Sequence, residues 1–186
     1  QNGNNNNLSV FNATSNPSLT CIQVDDATYM NTNWSAAKDA GATYSTNCAC
    51  VVNIPDANFK AALVANVSIN TNADAEIQCT EASAFNGIIN VSGLGIADLT
   101  GIEAFTLVSQ LICSNNNLTS IDISANTALT TLDCDLNQLT SLDVSTNTAL
   151  GVLLCRDNQI TSLDVSTNIN LYEFRCARNQ ISTLDV

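Results

Sequence analysis

One stretch of the chain carries oxygen-bearing side chains at the spacing of a calcium-binding loop. Residues 70–81 place them at the first, third, fifth, seventh and twelfth positions of an EF-hand-like loop, as Asn70, Asn72, Asp74, Glu76 and Glu81. Calcium takes six or more oxygen ligands, and this spacing curls the oxygens around one point. The loop therefore predicts a Ca²⁺ site, and Ca²⁺ is the cofactor that the sequence indicates.

Two departures from the EF-hand pattern leave a second interpretation open. Asn70 stands where the first ligand is usually Asp, and Ala75 stands where Gly usually permits the sharp turn. A loop rich in Asn and Asp can also satisfy its own backbone groups with its side chains. The alternative to a calcium site is therefore a polar loop that holds no metal.

A second set of carboxylates recurs every 21 residues and is called the aspartate ridge below. It consists of Asp122, Asp143, Asp164 and Asp185. If each repeat forms one coil of stacked parallel strands, these like charges lie about 4.8 Å apart and repel one another. Two kinds of contact would offset the repulsion: hydrogen bonds from neighbours such as Ser120 and Ser124, or divalent cations bound along the ridge.

Other polar and charged residues differ from one repeat to the next, which is typical of a binding surface. One predicted column of outward-facing residues is Ile112, Asp133, Leu154 and Arg175, and a second is Ser114, Asp135, Arg156 and Ala177. Three of the five basic residues fall in the last two repeats, as Arg156, Arg175 and Arg178. We expect ligand contacts from Asp133, Asp135, Leu154, Arg156, Arg175 and Arg178.

The composition argues against an enzyme. The chain contains no His, which removes His-based triads, ordinary zinc centres and the commonest general base. Asp133 and Asp135 form a pair of carboxylates, but the surface of a slim solenoid offers no deep cleft to shift their pKa values. With 17 acidic against 5 basic residues, neither nucleic acid nor an anionic membrane is an expected partner.

The elements that position these residues follow from a fixed repeat. Four cysteines and four asparagines recur every 21 residues: Cys113, Cys134, Cys155 and Cys176, with Asn116, Asn137, Asn158 and Asn179. Together with the surrounding leucines they give the leucine-rich-repeat signature L-x-x-L-x-L-x-x-N/C-x-L, with Cys in place of the third Leu. Such a period predicts a solenoid in which each repeat is one coil.

Alternation within the repeat predicts short parallel strands. Leu132 and Cys134 alternate with polar residues, so their side chains point inward while the polar ones face out. Asn137 follows the strand, where its amide can bond backbone groups of the turn. The second half of the coil, residues 140–147, is too short for an ordinary helix and has room for a second extended segment. We therefore predict a β-rich leucine-rich-repeat solenoid.

The eight cysteines divide into two groups. The four in the repeat occupy a buried Leu position, which favours free thiols that fill the core over a row of metal ligands. The other four lie outside the regular period and are predicted to form disulfides: Cys21, Cys48, Cys50 and Cys79. Of the three connectivities, we prefer Cys21–Cys48 with Cys50–Cys79, which closes two successive segments without crossing them.

The residues before the repeats resemble the cap of a known class of proteins. A helix is predicted over 56–65, after Pro55 and with Phe59 and Leu63 on one face. Residues 54–63, 69–77 and 91–105 resemble the N-terminal cap and first coils of leucine-rich-repeat proteins secreted by Bacteroidetes-type bacteria, and more distantly the internalin cap. The resemblance implies a large surface-attached or released protein that is exported by the type IX secretion system.

The first residues also fit the repeat template. Residues 8–16 place Ala13 at the Cys position and Asn16 at the Asn position, and residues 25–50 hold the only Trp. The aromatic residues of this segment are predicted to cover the end of a first leucine-rich-repeat block, formed by the residues before it. The alternative is that Trp34 stacks against a carbohydrate ligand. The predicted organisation is a final coil over 1–24, a capping linker over 25–53, a helical cap over 54–84 and a solenoid over 85–186.

Together these features predict a non-catalytic structural or adhesive segment of a large secreted cell-surface filament or adhesin. The alternative is a binding module whose exposed strand face recognises a protein or glycan. Because Val186 joined to Gln1 would nearly continue the coil, we expect a longer array of such segments. The expected partners are copies of the chain itself, or a cell-surface protein or glycan.

Overall fold

The structure is a computed structural model that describes residues 9–19, 21–45 and 50–186. The chain divides into two compact units, Gln1–Ala49 and Cys50–Val186. Residues 50–53, predicted as the end of the linker, fall in the second unit, where Val52 is buried in the core. Within the described residues, no helix is long and apolar enough to cross a membrane.

The first unit is a parallel strand pair with one helix. Strand β1 (Cys21–Gln23) pairs in parallel with β2 (Thr43–Ser45), and helix α1 (Ala27–Asn33) lies between them in the chain. Met30 and Tyr44 are buried in its small core. The aromatic residues therefore supply much of the packing in a unit that has few aliphatic side chains to bury.

Three aromatic residues of the first unit, Phe11, Trp34 and Tyr44, are held by specific contacts. The rings of Phe11 and Trp34 meet edge to face with centroids 6.2 Å apart, and the Tyr44 hydroxyl donates to the Trp34 carbonyl over 2.8 Å. Such aromatic pairs stabilise a core beyond the burial of their area. Trp34 thus packs within the first unit, in the place where the sequence predicts a plug.

Asn16 of the first unit has the geometry of a repeat asparagine. Its side-chain amide donates to the carbonyls of Ala13 and Thr14, both over 3.1 Å. Ser15 has a φ of 64°, in the left-handed region. Asp39 accepts hydrogen bonds from the backbone N–H groups of Ser15 and Asn16. The same amide bonds and the same backbone turn recur in the coils of the second unit.

The second unit opens with a helical cap. Helix α2 (Ala57–Val64) begins after Asp56, whose Oδ1 accepts from the N–H groups of Asn58 and Phe59, as expected of an N-cap. The predicted helix is confirmed, with Phe59 and Leu63 buried. Helix α3 (Cys79–Ala84) begins within the last three residues of the 70–81 loop and ends just before the first strand of the coils.

The coils contribute one strand each to a parallel sheet. Its order is β3, β4, β5, β6 and β8, with bounds Ile88–Asn90, Gln110–Ile112, Thr131–Asp133, Val152–Leu154 and Glu173–Arg175. A smaller parallel pair forms from β7 (Ser162–Asp164) and β9 (Thr183–Asp185). The predicted second extended segment is thus present in the last two coils, and the leucine-rich-repeat solenoid is confirmed.

Identical positions of successive repeats stack in the interior. The strand register aligns Leu111, Leu132, Leu153 and Phe174. The three leucines and the three cysteines two positions later, Cys113, Cys134 and Cys155, are fully buried. Each fully buried leucine stabilises the fold by roughly 1.5–3 kcal/mol. The interior therefore has nearly the same chemistry in every coil.

The repeated asparagines bond each coil to the one before it. The Asn137 amide donates to the carbonyl of Cys113 over 3.0 Å and to that of Cys134 over 3.1 Å, while its Oδ1 accepts from the N–H of Leu118. Asn116, Asn158 and Asn179 repeat this pattern. These residues form the asparagine ladder, which satisfies backbone groups that the strands leave unpaired.

Candidate functional site

The candidate site is the outward face of the sheet in the repeats, called the strand face. It comprises the outward-facing residues of β4, β5, β6 and β8 and of the positions just after them, most of them half-buried: Gln110, Ile112, Ser114, Thr131, Asp133, Asp135, Val152, Leu154, Arg156, Glu173, Arg175 and Ala177. These side chains alternate with the buried leucines and cysteines, so the interior fixes where each of them points. The strand face is therefore rigidly positioned.

The four side chains of the first predicted column lie next to one another on adjacent strands. The register pairs Ile112 with Asp133, Asp133 with Leu154, and Leu154 with Arg175. The first three of these residues are half-buried, whereas Arg175 is exposed. A carboxylate thus lies between two aliphatic side chains on adjacent strands, about 4.8 Å away on each side.

Arg156 is bound tightly to a carboxylate of the preceding coil. Its Nε and Nη2 both donate to Oδ2 of Asp135, over 2.9 and 2.6 Å, and its backbone N–H donates to Oδ1. The Asp135 side chain is only 8% exposed. The hydrogen bond and charge of Asp135 raise the pKa of Arg156. The pair therefore fastens one coil to the next.

The other two predicted arginines are also paired. Arg178 donates through Nε and Nη2 to Asp157 of the preceding coil, and this contact lowers the pKa of Asp157. Arg175 pairs with Glu173 of its own strand, with 2.7 Å between Nη2 and Oε1. The predicted cluster of basic residues is therefore neutralised within the chain. Its role in ligand binding stays a prediction.

The carboxylates of the predicted calcium loop are already hydrogen-bonded. Glu81 accepts through Oε1 from the N–H and hydroxyl of Thr71 and from the Asn72 N–H, and through Oε2 from the Gln78 N–H. Burial opposes these bonds, but together they lower the pKa of Glu81. Asp74 accepts from the Glu76 N–H over 2.7 Å and from the side-chain amides of Asn72 and Gln78.

The other two predicted ligands, Glu76 and Asn70, also make contacts within the chain. Glu76 pairs with Lys60 at 2.7 Å, and the Asn70 amide donates to the carbonyls of Val64 and Asp74, while its Oδ1 is buried without a partner. Within the residues described, no three His, Cys, Asp or Glu side chains are grouped to hold a metal. The geometry favours the polar-loop interpretation, and calcium binding stays a prediction that calorimetric titration with CaCl₂ would test.

Serine neighbours bond the carboxylates of the aspartate ridge. Asp122 accepts from the N–H and hydroxyl of Ser124, over 3.0 and 2.7 Å. Asp143 and Asp164 accept from the backbone N–H two residues on, over 2.9 and 2.8 Å. Hydrogen bonds from the hydroxyl and from the N–H of the serine two residues on lower the pKa of all three carboxylates, and at Asp143 they outweigh the opposing effects of burial and of the charged neighbours Asp122 and Asp164. The predicted hydrogen bonds are thus present at Asp122, Asp143 and Asp164, and cation binding along the ridge stays a prediction.

The repeat cysteines are free thiols, and three are fully buried whereas Cys176 is half-buried. Burial raises the pKa of Cys155 to about 12 and also raises the pKa values of Cys113 and Cys134. A thiol that stays protonated is neither a nucleophile nor a metal ligand. These cysteines therefore act as small hydrophobic side chains.

Outside the repeats, the three cysteines that the structure describes are in disulfides. Cys50 and Cys79 form a disulfide across the cap, with Cα atoms 5.3 Å apart. Cys21 is also in a disulfide. Its preferred partner from the sequence, Cys48, lies outside the described residues. The bond at Cys79 fixes the start of α3 to the segment that precedes α2.

Sequence reasoning missed a second asparagine column. Asn126, Asn147 and Asn168 are buried, and the amide of Asn147 donates to the carbonyls of Ile123 and Asn126 in the preceding coil, over 3.1 and 2.9 Å. Their spacing of 21 was a sufficient signal, because it equals that of the first ladder. The sequence analysis also missed the pairs Asp135–Arg156 and Asp157–Arg178. Their residues are again 21 apart, so the same signal indicates that they are neighbours.

Comparison with known proteins points to internalins. The chain is 35% identical over 126 residues to Internalin J of Listeria monocytogenes serotype 4b (strain F2365), a match that covers 60% of this chain and 13% of that protein. The solved functional domain of InlJ from Listeria monocytogenes, which includes a cysteine ladder, matches with a TM-score of 0.66 and 38% identity. It covers 75% of this chain and 31% of that one. The chain has an internalin-like leucine-rich-repeat fold.

A second solved structure agrees on the fold alone. InlF from Listeria monocytogenes str. 4b F2365 matches with a TM-score of 0.62 and 20% identity, covering 74% of this chain and 45% of that one. No protein-family model matches the chain. The match thus spans 13% of Internalin J and less than half of each of the two solved chains.

Proposed function

We propose that this chain is a non-catalytic segment of a secreted or cell-surface adhesion protein, and that its strand face binds a protein partner. One observation carries the proposal. Inward positions repeat the same residue types in every coil, whereas the outward row contains Ile112, Asp133, Leu154 and Arg175, four different chemistries at matched positions. Folding requires the inward repetition, but it does not require this outward variety.

The strand face has the properties of a protein contact surface. Ile112, Val152 and Leu154 are half-buried aliphatic side chains surrounded by polar ones. Interfaces of this kind have an apolar centre and a polar rim, and a few central residues supply most of the binding energy. A protein surface of complementary shape would bury these three side chains.

The framework under the strand face is already ordered. The asparagine ladder and the Asp135–Arg156 pair bond each coil to the next. Binding to such a surface loses little conformational entropy, since the contact residues are held in place beforehand. Rigidity therefore favours recognition of a folded partner over wrapping around a flexible one.

The likeness to InlJ supports a surface or secreted location and a role in adhesion or binding, and does so over 75% of this chain. The absence of His from the sequence and the pairing of Asp135 with Arg156 both favour a non-catalytic role. Export by type IX secretion, assembly into a filament and contacts between copies of the chain stay predictions from the sequence.

Selection of binding peptides on the full chain tests the proposal. A phage-displayed library of random peptides is selected on the immobilised protein, and each enriched peptide is then measured against two variants. Leu154→Glu places a charge on the strand face, and Ile169→Glu makes the same change at an aliphatic side chain that is 86% exposed outside that face. We expect Leu154→Glu to weaken binding about 10-fold or more and Ile169→Glu to leave it unchanged.

Unchanged binding to Leu154→Glu would contradict the proposal. If the enriched peptides bind Leu154→Glu as tightly as the unaltered chain, the strand face is not the contact surface. Circular dichroism of both variants checks that the coils remain folded, which Leu154 and Ile169 permit because neither is fully buried.

A further inference from the structure

Asp133 is a charged residue of the strand face that has no countercharge in the described part of the chain. The other charged residues of that face are paired: Asp135 with Arg156, and Glu173 with Arg175. Among the described residues, Asp133 accepts only from neutral donors, the Ser114 hydroxyl at Oδ2 and the Asp135 N–H at Oδ1, both over 3.1 Å. Its negative charge therefore remains available to a partner.

The surroundings of Asp133 make that charge more effective. Ile112 and Leu154 lie on the two adjacent strands at the same register, and all three side chains are half-buried. Aliphatic neighbours exclude part of the water around a carboxylate, so an ion pair formed there is screened less than one on an open surface. A cationic side chain bound to Asp133 would exclude the remaining water from around the carboxylate.

The unused acceptor positions of Asp133 indicate which cation fits best. An ionised carboxylate has about four lone-pair sites, two on each oxygen. One bond at each oxygen is made within the chain, so one position remains on each. A guanidinium group presents two parallel N–H donors that match two carboxylate oxygens, whereas an ammonium group acts as a point charge.

From these contacts we propose that Asp133, Ile112 and Leu154 form a subsite for an arginine side chain of the partner protein. The guanidinium binds both oxygens of Asp133, and the methylene groups lie along Ile112 and Leu154. This inference rests on the proposed function of the strand face and specifies the partner chemistry.

Peptide selection on variants of the full chain tests the subsite. The phage-displayed library is selected in parallel on the unaltered chain, on Asp133→Asn and on Asp143→Asn. Asp143 is the matched control, because it is a hydrogen-bonded aspartate of the ridge outside the strand face and loses the same charge. We expect arginine next to apolar residues to be enriched on the unaltered chain and on Asp143→Asn, and this enrichment to disappear on Asp133→Asn.

A second measurement begins with the unaltered chain, so its first comparison does not depend on the folding of a variant. An enriched peptide is synthesised with arginine and with citrulline, which has nearly the same shape but no charge. Fluorescence polarisation should show that citrulline weakens binding to the unaltered chain about 10-fold or more. On Asp133→Asn the two peptides should bind within about 2-fold of each other.

The outcomes separate this inference from the proposed function. Peptides that lose affinity for Leu154→Glu but show no arginine preference, or that bind equally with citrulline, would overturn the subsite and leave the strand face as the contact surface. Peptides that bind Leu154→Glu normally would overturn both.

Discussion

The cap and the coils of the second unit use the same residue types in different ways. In the cap, Cys50 and Cys79 form a disulfide, and side chains of the 70–81 loop such as Asp74 and Glu81 bond groups within that same loop. In the coils, Cys134 is a buried thiol and Asn137 bonds the preceding coil. The first arrangement lies within the cap and includes a covalent bond, whereas the second depends on hydrogen bonds to the adjacent coil.

This difference shows how repetition replaces local stabilisation. A single loop has no stacked neighbour, so its orphan backbone groups must be satisfied by its own side chains or by a crosslink. A coil between two others receives bonds from both sides and buries its apolar face completely. The coils should therefore respond to loss of contacts between repeats, and the cap to loss of local ones.

The largest effect should come from Asn137 in the middle of the asparagine ladder. Asn137→Ala removes three donated hydrogen bonds and one accepted bond, all buried. Because the partner groups stay buried without partners, we expect the free energy of unfolding to fall by about 4 kcal/mol. Urea denaturation measures this value.

The matched control is Asn117→Ala, which removes an exposed amide that makes one bond, to the Gly95 carbonyl over 3.3 Å. It should cost less than about 0.5 kcal/mol. Equal losses in the two variants would mean that the ladder bonds do not hold the coils together.

Removal of the cap disulfide should have the next largest effect. Replacing both Cys50 and Cys79 with Ala frees a loop with a sequence separation of 29 residues, which predicts a loss of about 3 kcal/mol from greater entropy of the unfolded chain. Hydrogen exchange should show lost protection in α2 and α3 and retained protection in β5. An equal loss of amide protection in β5 would mean that the disulfide stabilises the coils as much as the cap.

A smaller effect is expected from a buried thiol. Cys134→Ser keeps the size of the side chain but places a hydroxyl in a fully buried position, at a cost of about 2 kcal/mol. The same substitution at half-buried Cys176 should cost less than about 1 kcal/mol, since water can reach that hydroxyl. Thermal denaturation compares the stability of the two variants. A larger loss of stability for Cys176→Ser than for Cys134→Ser would argue against a buried row of cysteines in the interior.

The smallest effect should be a pH dependence of the cap. Hydrogen bonds lower the pKa of Glu81 below its ordinary value of 4.5, so they stabilise the folded state above that pH. This stabilisation is lost as the pH falls through the lowered pKa. Protection of the α3 amides should therefore decrease more between pH 5 and pH 2 in the unaltered chain than in Glu81→Gln. Parallel curves would show that Glu81 does not hold the loop.

Much of the fold could be predicted from the sequence because the repeat gives the same signal several times. Leu132, Cys134 and Asn137 each occupy a position that four repeats share, so their burial and bonding follow from one period. The cap helix could be predicted because Asp56 and the apolar Phe59 and Leu63 are local signals.

The candidate site was harder to predict because it depends on pairwise distances. Arg156, Arg175 and Arg178 look like a basic cluster in the sequence, but each lies beside a carboxylate of its own or the preceding coil. The 70–81 loop has the spacing of calcium ligands, but the sequence does not show that Glu81 bonds the backbone of Thr71 and Asn72. Spacing indicates which residues are near one another, not which partners they take.

Labelling of thiols in the folded chain tests the central claim most directly. The claim is that the coils stack around one interior row of leucine, cysteine and asparagine. Treatment with iodoacetamide followed by mass spectrometry should leave Cys113, Cys134 and Cys155 unmodified until the chain unfolds, because they are fully buried and their pKa values are raised. Modification of these three cysteines in the folded chain at the rate seen in denaturant would contradict the account.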